Sequence, residues 1–159
     1  MMTTARRCSL LALLLVPPAS GLPQETGKPD VQAAIASLKS PEAPVRAAAA
    51  RVLGEIGPPA REAVPDLTAA IKDTDREVRQ NAVNALGQIG PEAKAAVPAL
   101  IAALKDPDWP VRRGAAAALG RLRDPAAIEP LKAARKDTNE SVRNAAKASL
   151  DQLKKIKAK

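Results

Sequence analysis

The 159-residue sequence contains no His, Tyr or Phe, and Trp109 is its only aromatic residue. Without His, the chain has no imidazole base, no imidazole metal ligand and no His-paired nucleophile. The only cysteine is Cys8, so an intramolecular disulfide and a thiolate metal cluster are also excluded. Carboxylates, lysines and hydroxyls are what remain for catalysis, and we predict a protein that is not an enzyme and holds no cofactor.

What the sequence does contain is a repeated unit. The segment DTDREVRQNAVNALGQIG at residues 73–90 recurs in related form at residues 40–57, 106–122 and 137–153. A Val-Arg pair recurs at intervals of 33, 33 and 31 residues, at Val45-Arg46, Val78-Arg79, Val111-Arg112 and Val142-Arg143. Such a period indicates a solenoid, because a unit this short must stack on its neighbours to bury its apolar face.

Each unit has the pattern of two helices. In the second unit, Val64, Leu67 and Ile71 are spaced like the buried stripe of a first helix, which we call helix A. A second helix, helix B, begins near Asp75, and near Asp108 in the third unit. We expect both aspartates to accept hydrogen bonds from the free N–H groups of the first turn.

Glycines recur inside and after helix B. Gly54, Gly87 and Gly120 lie within the helix, where glycine costs about 1 kcal/mol relative to alanine. A cost that recurs in each unit predicts that another helix crosses there at short distance. Gly57 and Gly90 follow the helix, and we predict that they are left-handed C-terminal caps.

The N-terminus has the pattern of an export signal. Arg6 and Arg7 precede a short apolar run at residues 10–16, and a segment rich in Pro and small residues follows. We predict a signal peptide at residues 1–21, cleaved near residues 19–22, and a linker at residues 22–30. A membrane anchor is not expected, because the run is far shorter than the ~20 residues that span a bilayer. The protein would then be periplasmic or secreted.

The repeated unit reads D-x-x-x-x-V-R-x-x-A-x-x-A-L-G-x-I-G, and a Pro-rich link with A-V-P-x-L follows it. From Val31 to Leu153 it resembles the HEAT repeat of the bacterial type found in phycobilisome-lyase-like (PBS lyase HEAT-like) proteins. The resemblance implies an all-α fold, a right-handed α-α superhelix of about four two-helix repeats in a domain at residues 31–159. The repeats would be residues 31–63, 64–96, 97–127 and 128–159.

The resemblance also implies a structural role for the recurring Asp and Arg. In that family, the Asp that closes helix A and the Arg that opens helix B form hydrogen-bonded ladders between adjacent repeats. The matching pairs, six residues apart in this sequence, are Asp73 with Arg79, Asp106 with Arg112 and Asp137 with Arg143. Because the first unit has Ser40 opposite Arg46, we expect the ladder to weaken at that end.

In HEAT proteins the B helices line the concave face, so the repeat register identifies candidate partner-binding residues here. They are Gln80, Asn84, Gln88, Arg113 and Arg121, a polar and mildly basic set. Trp109 is a sixth candidate, because Trp is enriched among interface hot spots. Two simpler readings stay open: these residues are solvated helix positions, and the ring of Trp109 packs on Pro107 and Pro110.

Three classes of function follow. The first is an exported, non-catalytic scaffold that binds a protein or peptide, with self-association also open. The second is a polyanion binder, which the net charge of +8 permits, although export and the shortage of stacking aromatics argue against nucleic acid. The third is an enzyme resembling bilin lyases or di-iron deoxyhypusine hydroxylases, but the hydroxylase chemistry needs His ligands that this chain lacks. We predict the first class, with no nucleic acid and no membrane span.

Overall fold

The computed structural model describes residues 30–157, and all regular structure within that range is helical. The predicted signal peptide and residues 22–29 of the linker lie outside the described residues. The helices are α1 (Val31–Ser37), α2 (Ala43–Ile56), α3 (Val64–Ala70), α4 (Arg76–Ile89), α5 (Val97–Ala103), α6 (Trp109–Leu122), α7 (Ile128–Ala134) and α8 (Glu140–Lys157). Short 3-10 segments at Pro58–Ala63, Gly90–Ala96 and Pro125–Ala127 link the pairs.

Each repeat pairs one short helix with one long helix, which confirms the predicted all-α solenoid. The A helices, α1, α3, α5 and α7, have seven residues each, and the B helices α2, α4 and α6 have fourteen. An isolated helix of seven residues is not stable in water. The A helices therefore depend on the B helices that they pack against. None of the helices between residues 30 and 157 has the length and apolarity needed to cross a bilayer.

The two aspartates that precede helix B behave differently. Asp75 caps α4 as predicted, because its carboxylate accepts from the backbone N–H groups of Glu77 and Val78 at 2.8 and 3.1 Å. The same prediction was wrong for Asp108, which makes no side-chain capping bond to α6. Its carboxylate instead accepts from Nη2 of Arg79 at 2.7 Å.

Gly57 and Gly90 end their helices with positive φ angles of 70° and 74°. Their ψ angles of −138° and −139° lie outside the left-handed helical region, so the predicted cap conformation was wrong in detail. These angles fall in a region that residues with a Cβ rarely adopt. The third link is two residues shorter, and Arg123 ends α6 in the left-handed helical region, with φ 57° and ψ 35°.

The core runs without a break through the stacked repeats, and its largest members are leucines such as Leu53, Leu86 and Leu119. Neighbouring B helices cross closely at the recurring glycine, as predicted. A Cβ added to Gly87 would lie 3.0 Å from Cβ and 3.1 Å from Cα of Ala118 in the next B helix. The absence of a side chain at this position sets the spacing between repeats.

The two ends of the solenoid differ in polarity. Val45 is 37% exposed, whereas Val78, Val111 and Val142, at the same position of later repeats, are fully buried. Val45 also lies beside an apolar hollow of about 560 Å³ at the N-terminal edge. At the other end, Arg135 is exposed, whereas the equivalent position of each earlier repeat holds a buried apolar residue. A polar outer surface is what a terminal repeat needs to meet water.

Candidate interaction face

The accessible side of α2, α4, α6 and α8, turned away from the A helices, is here called the B-helix face. The candidate residues are distributed along it at helical spacing. Gln80 and Asn84 are half-buried on α4, and Gln88 is exposed on the same helix. Arg113 and Arg121 are exposed on α6. The structure therefore brings these five residues onto two neighbouring helices.

A small hollow lies between α4 and α6. Its volume is about 180 Å³, and its lining includes Asn84, Arg113, Gly114 and Arg121. A Cβ added to Gly114 would lie 3.0 Å from Oδ1 of Asn84. The glycine thus makes room for the amide at the floor of the hollow.

A larger, open hollow of about 830 Å³ lies at the C-terminal end of α6. Arg121 lines both hollows, and Arg123, Gln152 and Lys155 line only the second. Neither Arg123 nor Lys155 is among the partner-binding residues predicted from the sequence. The signal for Arg123 was present, because it stands where the two earlier repeats have glycine.

Acidic side chains are absent from the lining of both hollows. Among the described residues, ion pairs occur on this face only toward its ends, where Arg51 bonds Glu55 at 2.5 Å and Lys154 lies 3.9 Å from Asp151. Arg113, Arg121 and Arg123 take part in none of the ion pairs between residues 30 and 157. The hollows therefore carry positive charge that this part of the chain does not neutralise.

Trp109 lies apart from the larger hollow. It is the first residue of α6 and is 45% exposed. Arg121 is twelve residues further along the same helix, which corresponds to about 18 Å of helical rise. Arg113 lies only about one turn from Trp109. The structure thus places Trp109 at the A–B turn, at the opposite end of α6 from Arg121.

The ladder lies at the A–B turns and joins consecutive repeats. Arg79 donates from Nε to Oδ2 of Asp106 at 2.8 Å, and Arg46 donates from Nε to Oδ2 of Asp73 at 2.7 Å. Arg112 and Asp137 repeat the arrangement at 2.8 Å. Each carboxylate therefore pairs with the arginine of the preceding repeat.

Within one repeat, Arg and Asp meet through the backbone. Nη1 of Arg79 donates to the carbonyl oxygen of Asp73 at 3.1 Å, and Arg112 and Arg143 do the same to Asp106 and Asp137. The pairs six residues apart are thus linked by a carbonyl bond, and not by an ion pair. The Asp carboxylate also accepts from the backbone N–H two residues later, as Asp73 does from Asp75 at 2.9 Å.

The expectation of a weaker ladder at the first repeat was wrong. Arg46 bonds the carboxylate of Asp73 and the carbonyl of Ser40, so no carboxylate is needed at residue 40. The ladder instead ends at the last repeat. Within residues 30–157, the guanidinium of Arg143 bonds only the carbonyl oxygens of Asp137 and Thr138.

The ladder shifts the titration of its members. Hydrogen bonding from Arg46 lowers the pKa of Asp73, and hydrogen bonding from Arg112 lowers the pKa of Asp137. The pKa of each of these arginines is raised by the same bonds. The pairs therefore stay charged at neutral pH, as a charge-assisted, two-bond contact requires.

Metal coordination finds no support on the described part of the chain. Between residues 30 and 157, no three residues among His, Cys, Asp and Glu stand close enough together to hold an ion. The polar side chains that line the two hollows are amides, guanidinium groups and the ammonium group of Lys155. Such groups serve hydrogen bonding and charge pairing with a partner.

Comparisons with known proteins agree with this architecture. The family model for HEAT repeats matches residues 31–96 and 92–151. No curated protein matches the sequence. Human deoxyhypusine hydroxylase, solved in complex with glycerol, is similar over 80% of this chain with 30% identity and a TM-score of 0.66. The match covers 44% of the hydroxylase, so this chain spans less than half its length.

Two further solved structures are similar. The complex of CpcE and CpcF of phycocyanin lyase from Nostoc sp. PCC7120 matches 87% of this chain and 71% of its own, with 26% identity and a TM-score of 0.57. A designed armadillo repeat protein in complex with the peptide (KR)4 matches 77% of this chain and 64% of its own. Its identity is 19% and its TM-score 0.65, so this likeness concerns the fold alone.

Proposed function

The chain belongs to the HEAT-repeat family, and on that premise we propose that it is a non-catalytic scaffold that binds a protein or peptide through the B-helix face. The observation that carries the proposal is the set of accessible amides on that face together with Arg113 and Arg121, which form none of the ion pairs among residues 30–157. The ladder arginines, by contrast, pair with aspartates of the next repeat and hold the repeats together. The B-helix face has no such internal use for Arg113 and Arg121.

The fold supports this reading over an enzymatic one. A stack of helix pairs offers a long surface for a partner and needs no further chemistry to do so. The chain has no His and a single Cys, which leaves few groups for acid–base or metal catalysis. The hydroxylase and the lyase are similar to this chain in fold, and we propose neither of their activities for it.

Photocrosslinking in the native host tests the binding face. A photoreactive residue placed at Asn84, Arg113 or Trp109 is expected to label one partner from the first two positions. Ala69, Ala102 and Ala133 are matched controls, because they are exposed at equivalent positions of the A helices α3, α5 and α7. Labelling from these controls as strong as from Asn84 contradicts the proposal. Labelling from Trp109 alone moves the interface to the A–B turns.

We also propose that the protein is exported, with residues 1–21 removed. The support is the sequence of Arg6, Arg7 and the apolar run at residues 10–16. Mass spectrometry of the mature protein from the native host should find an N-terminus near residues 19–22. An intact N-terminus in the cell interior contradicts export.

A further inference from the structure

Along helix B and at its C-terminal end, the third repeat carries a cation at three positions where the second repeat has a neutral residue. Arg113, Arg121 and Arg123 stand where the second repeat has Gln80, Gln88 and Gly90. All three line the two hollows beside α6, and Lys155 of α8 adds a fourth cation to the larger one. Each of these exchanges puts a cation in place of a neutral residue in the lining of one hollow, and Arg121 belongs to both.

Arg123 is held in an unfavourable backbone conformation. It is the one non-glycine residue with positive φ in the described part of the chain. A left-handed helical conformation is unfavourable for a residue with a Cβ. The fold accepts this cost at a position where glycine occurs in the two earlier repeats. An arginine at a position that favours glycine supports a use for its side chain.

Resting on the proposed function, we propose that the partner segment is an acidic peptide, whose carboxylates pair with Arg113, Arg121, Arg123 and Lys155. Arginine in particular pairs with a carboxylate through two parallel bonds. None of the described residues that line the hollows is acidic, so within residues 30–157 these cations are available to a partner.

The spacing of the arginines fits an extended peptide. Arg113 and Arg121 are eight residues apart on α6, which corresponds to about 12 Å of rise. In an extended chain, side chains four residues apart lie on the same side and about 13 Å apart. One acidic residue can then meet Arg113 while the residue four positions away meets Arg121. The amides of Asn84 and Gln152 are placed to bond the peptide backbone.

A nucleic acid fits the same surface less well. Sequence-independent binding of single strands relies on aromatic side chains on which the bases stack. None of the described residues that line the two hollows is aromatic, and Trp109, about one turn from Arg113, stands outside both linings. Carboxylates can pair with the cations and accept from the amides of the lining, whereas bases find no aromatic stacking surface there.

The test measures binding of fluorescein-labelled octaglutamate to the full chain by fluorescence anisotropy at low salt. The triple variant R113Q/R121Q/R123G gives the third repeat the residues of the second. Its affinity should fall about tenfold, as expected for the loss of three exposed ion pairs. The matched control is K72Q/K105Q/K136Q, which removes the same charge from exposed lysines at the A–B turns. The control should bind nearly as well as the unmodified protein.

Three results would overturn the proposal. One is no binding of octaglutamate to the unmodified protein, another is equal loss in both triple variants, and the third is tighter binding of an oligothymidylate of the same length through the same arginines. None of them affects crosslinking from Asn84 and Arg113, so a failure here is distinguishable from a failure of the proposed function. Circular dichroism of R123G shows whether the fold persists, and we expect its melting midpoint to stay within a few degrees of the unmodified protein's.

Discussion

Arg79 and Asp106 are 27 residues apart in sequence and are joined by two hydrogen bonds, from Nε at 2.8 Å and from Nη2 at 3.2 Å. The same guanidinium also bonds Asp108 and the carbonyl oxygens of Asp73 and Thr74. One side chain thus fixes the A–B turns of two consecutive repeats relative to each other.

Replacing Arg79 by Ala should lower the free energy of unfolding by about 2 to 4 kcal/mol. The reason is that the carboxylate of Asp106 and the carbonyl oxygen of Asp73, both mostly buried, would lose this hydrogen-bond donor. For a domain of this size the melting midpoint would fall by roughly 6 to 15 °C. Arg76→Ala is the control, since it removes the same charge from an exposed position of the same helix. An unchanged midpoint in Arg79→Ala would show that the ladder does not stabilise the stack.

The ladder should make stability depend on pH in the acid range. The folded-state pKa values of Asp73 and Asp137 are lowered, so their contribution is complete above the unfolded pKa of about 3.9. It is lost as the pH falls through the folded pKa values. In thermal melts, the difference in melting midpoint between the unmodified protein and D73N/D137N should therefore be constant from pH 7 to 5 and become smaller below pH 4. A difference that stays constant down to pH 2 contradicts this linkage.

Gly87→Ala should destabilise the protein by about 1 to 2 kcal/mol, although alanine is the better helix former by about 1 kcal/mol. The added Cβ would meet backbone and Cβ atoms of Ala118, which cannot move without separating α4 from α6. Gly114→Ala is the comparison, because there the added Cβ would meet only side-chain atoms, Oδ1 of Asn84 at 3.0 Å and Cγ1 of Val83 at 3.1 Å, and no backbone atom of the neighbouring helix. In chemical denaturation, the free energy of unfolding should be lower for Gly87→Ala than for Gly114→Ala. The reverse order would contradict the close helix crossing at residue 87.

The same substitution at two equivalent positions should have different effects. Val78→Ala removes a fully buried side chain and should cost about 1.5 to 3 kcal/mol. Val45→Ala, in the first repeat, should stay within about 0.5 kcal/mol of the unmodified protein, since Val45 is 37% exposed. Equal costs in urea denaturation would indicate that the N-terminal edge is covered in solution.

The repeat sequence was sufficient to predict the helix pairs, the close crossing at Gly87 and the capping bond of Asp75. These depend on local pattern and on the recurrence of a residue that would otherwise be unfavourable. The partner of each ladder carboxylate could not be predicted from the local sequence pattern. Asp73 and Arg79 are near in sequence, but the stacking of repeats brings Arg46 to the carboxylate instead.

The candidate site shows the same division. Helical spacing placed Gln88, Arg113 and Arg121 on accessible positions of two adjacent B helices. It did not reveal the second hollow, because Lys155 reaches that hollow only through the packing of α8 against α6. The conformation of Arg123 follows from a link that is two residues shorter than the others. Sequence comparison between the units marks that deletion but does not give its geometry.

The ladder also determines how the molecule would respond to mechanical load. Its side-chain ion pairs each join residues 25 to 29 positions apart, and none reaches past the next repeat. Tension applied along the stack is therefore carried in series, one repeat after another, with no bond that spans the whole array. Under such tension the chain lengthens in steps of one repeat, each releasing about 110 Å of extended polypeptide. The force at which the stack first yields would therefore be set by its weakest junction.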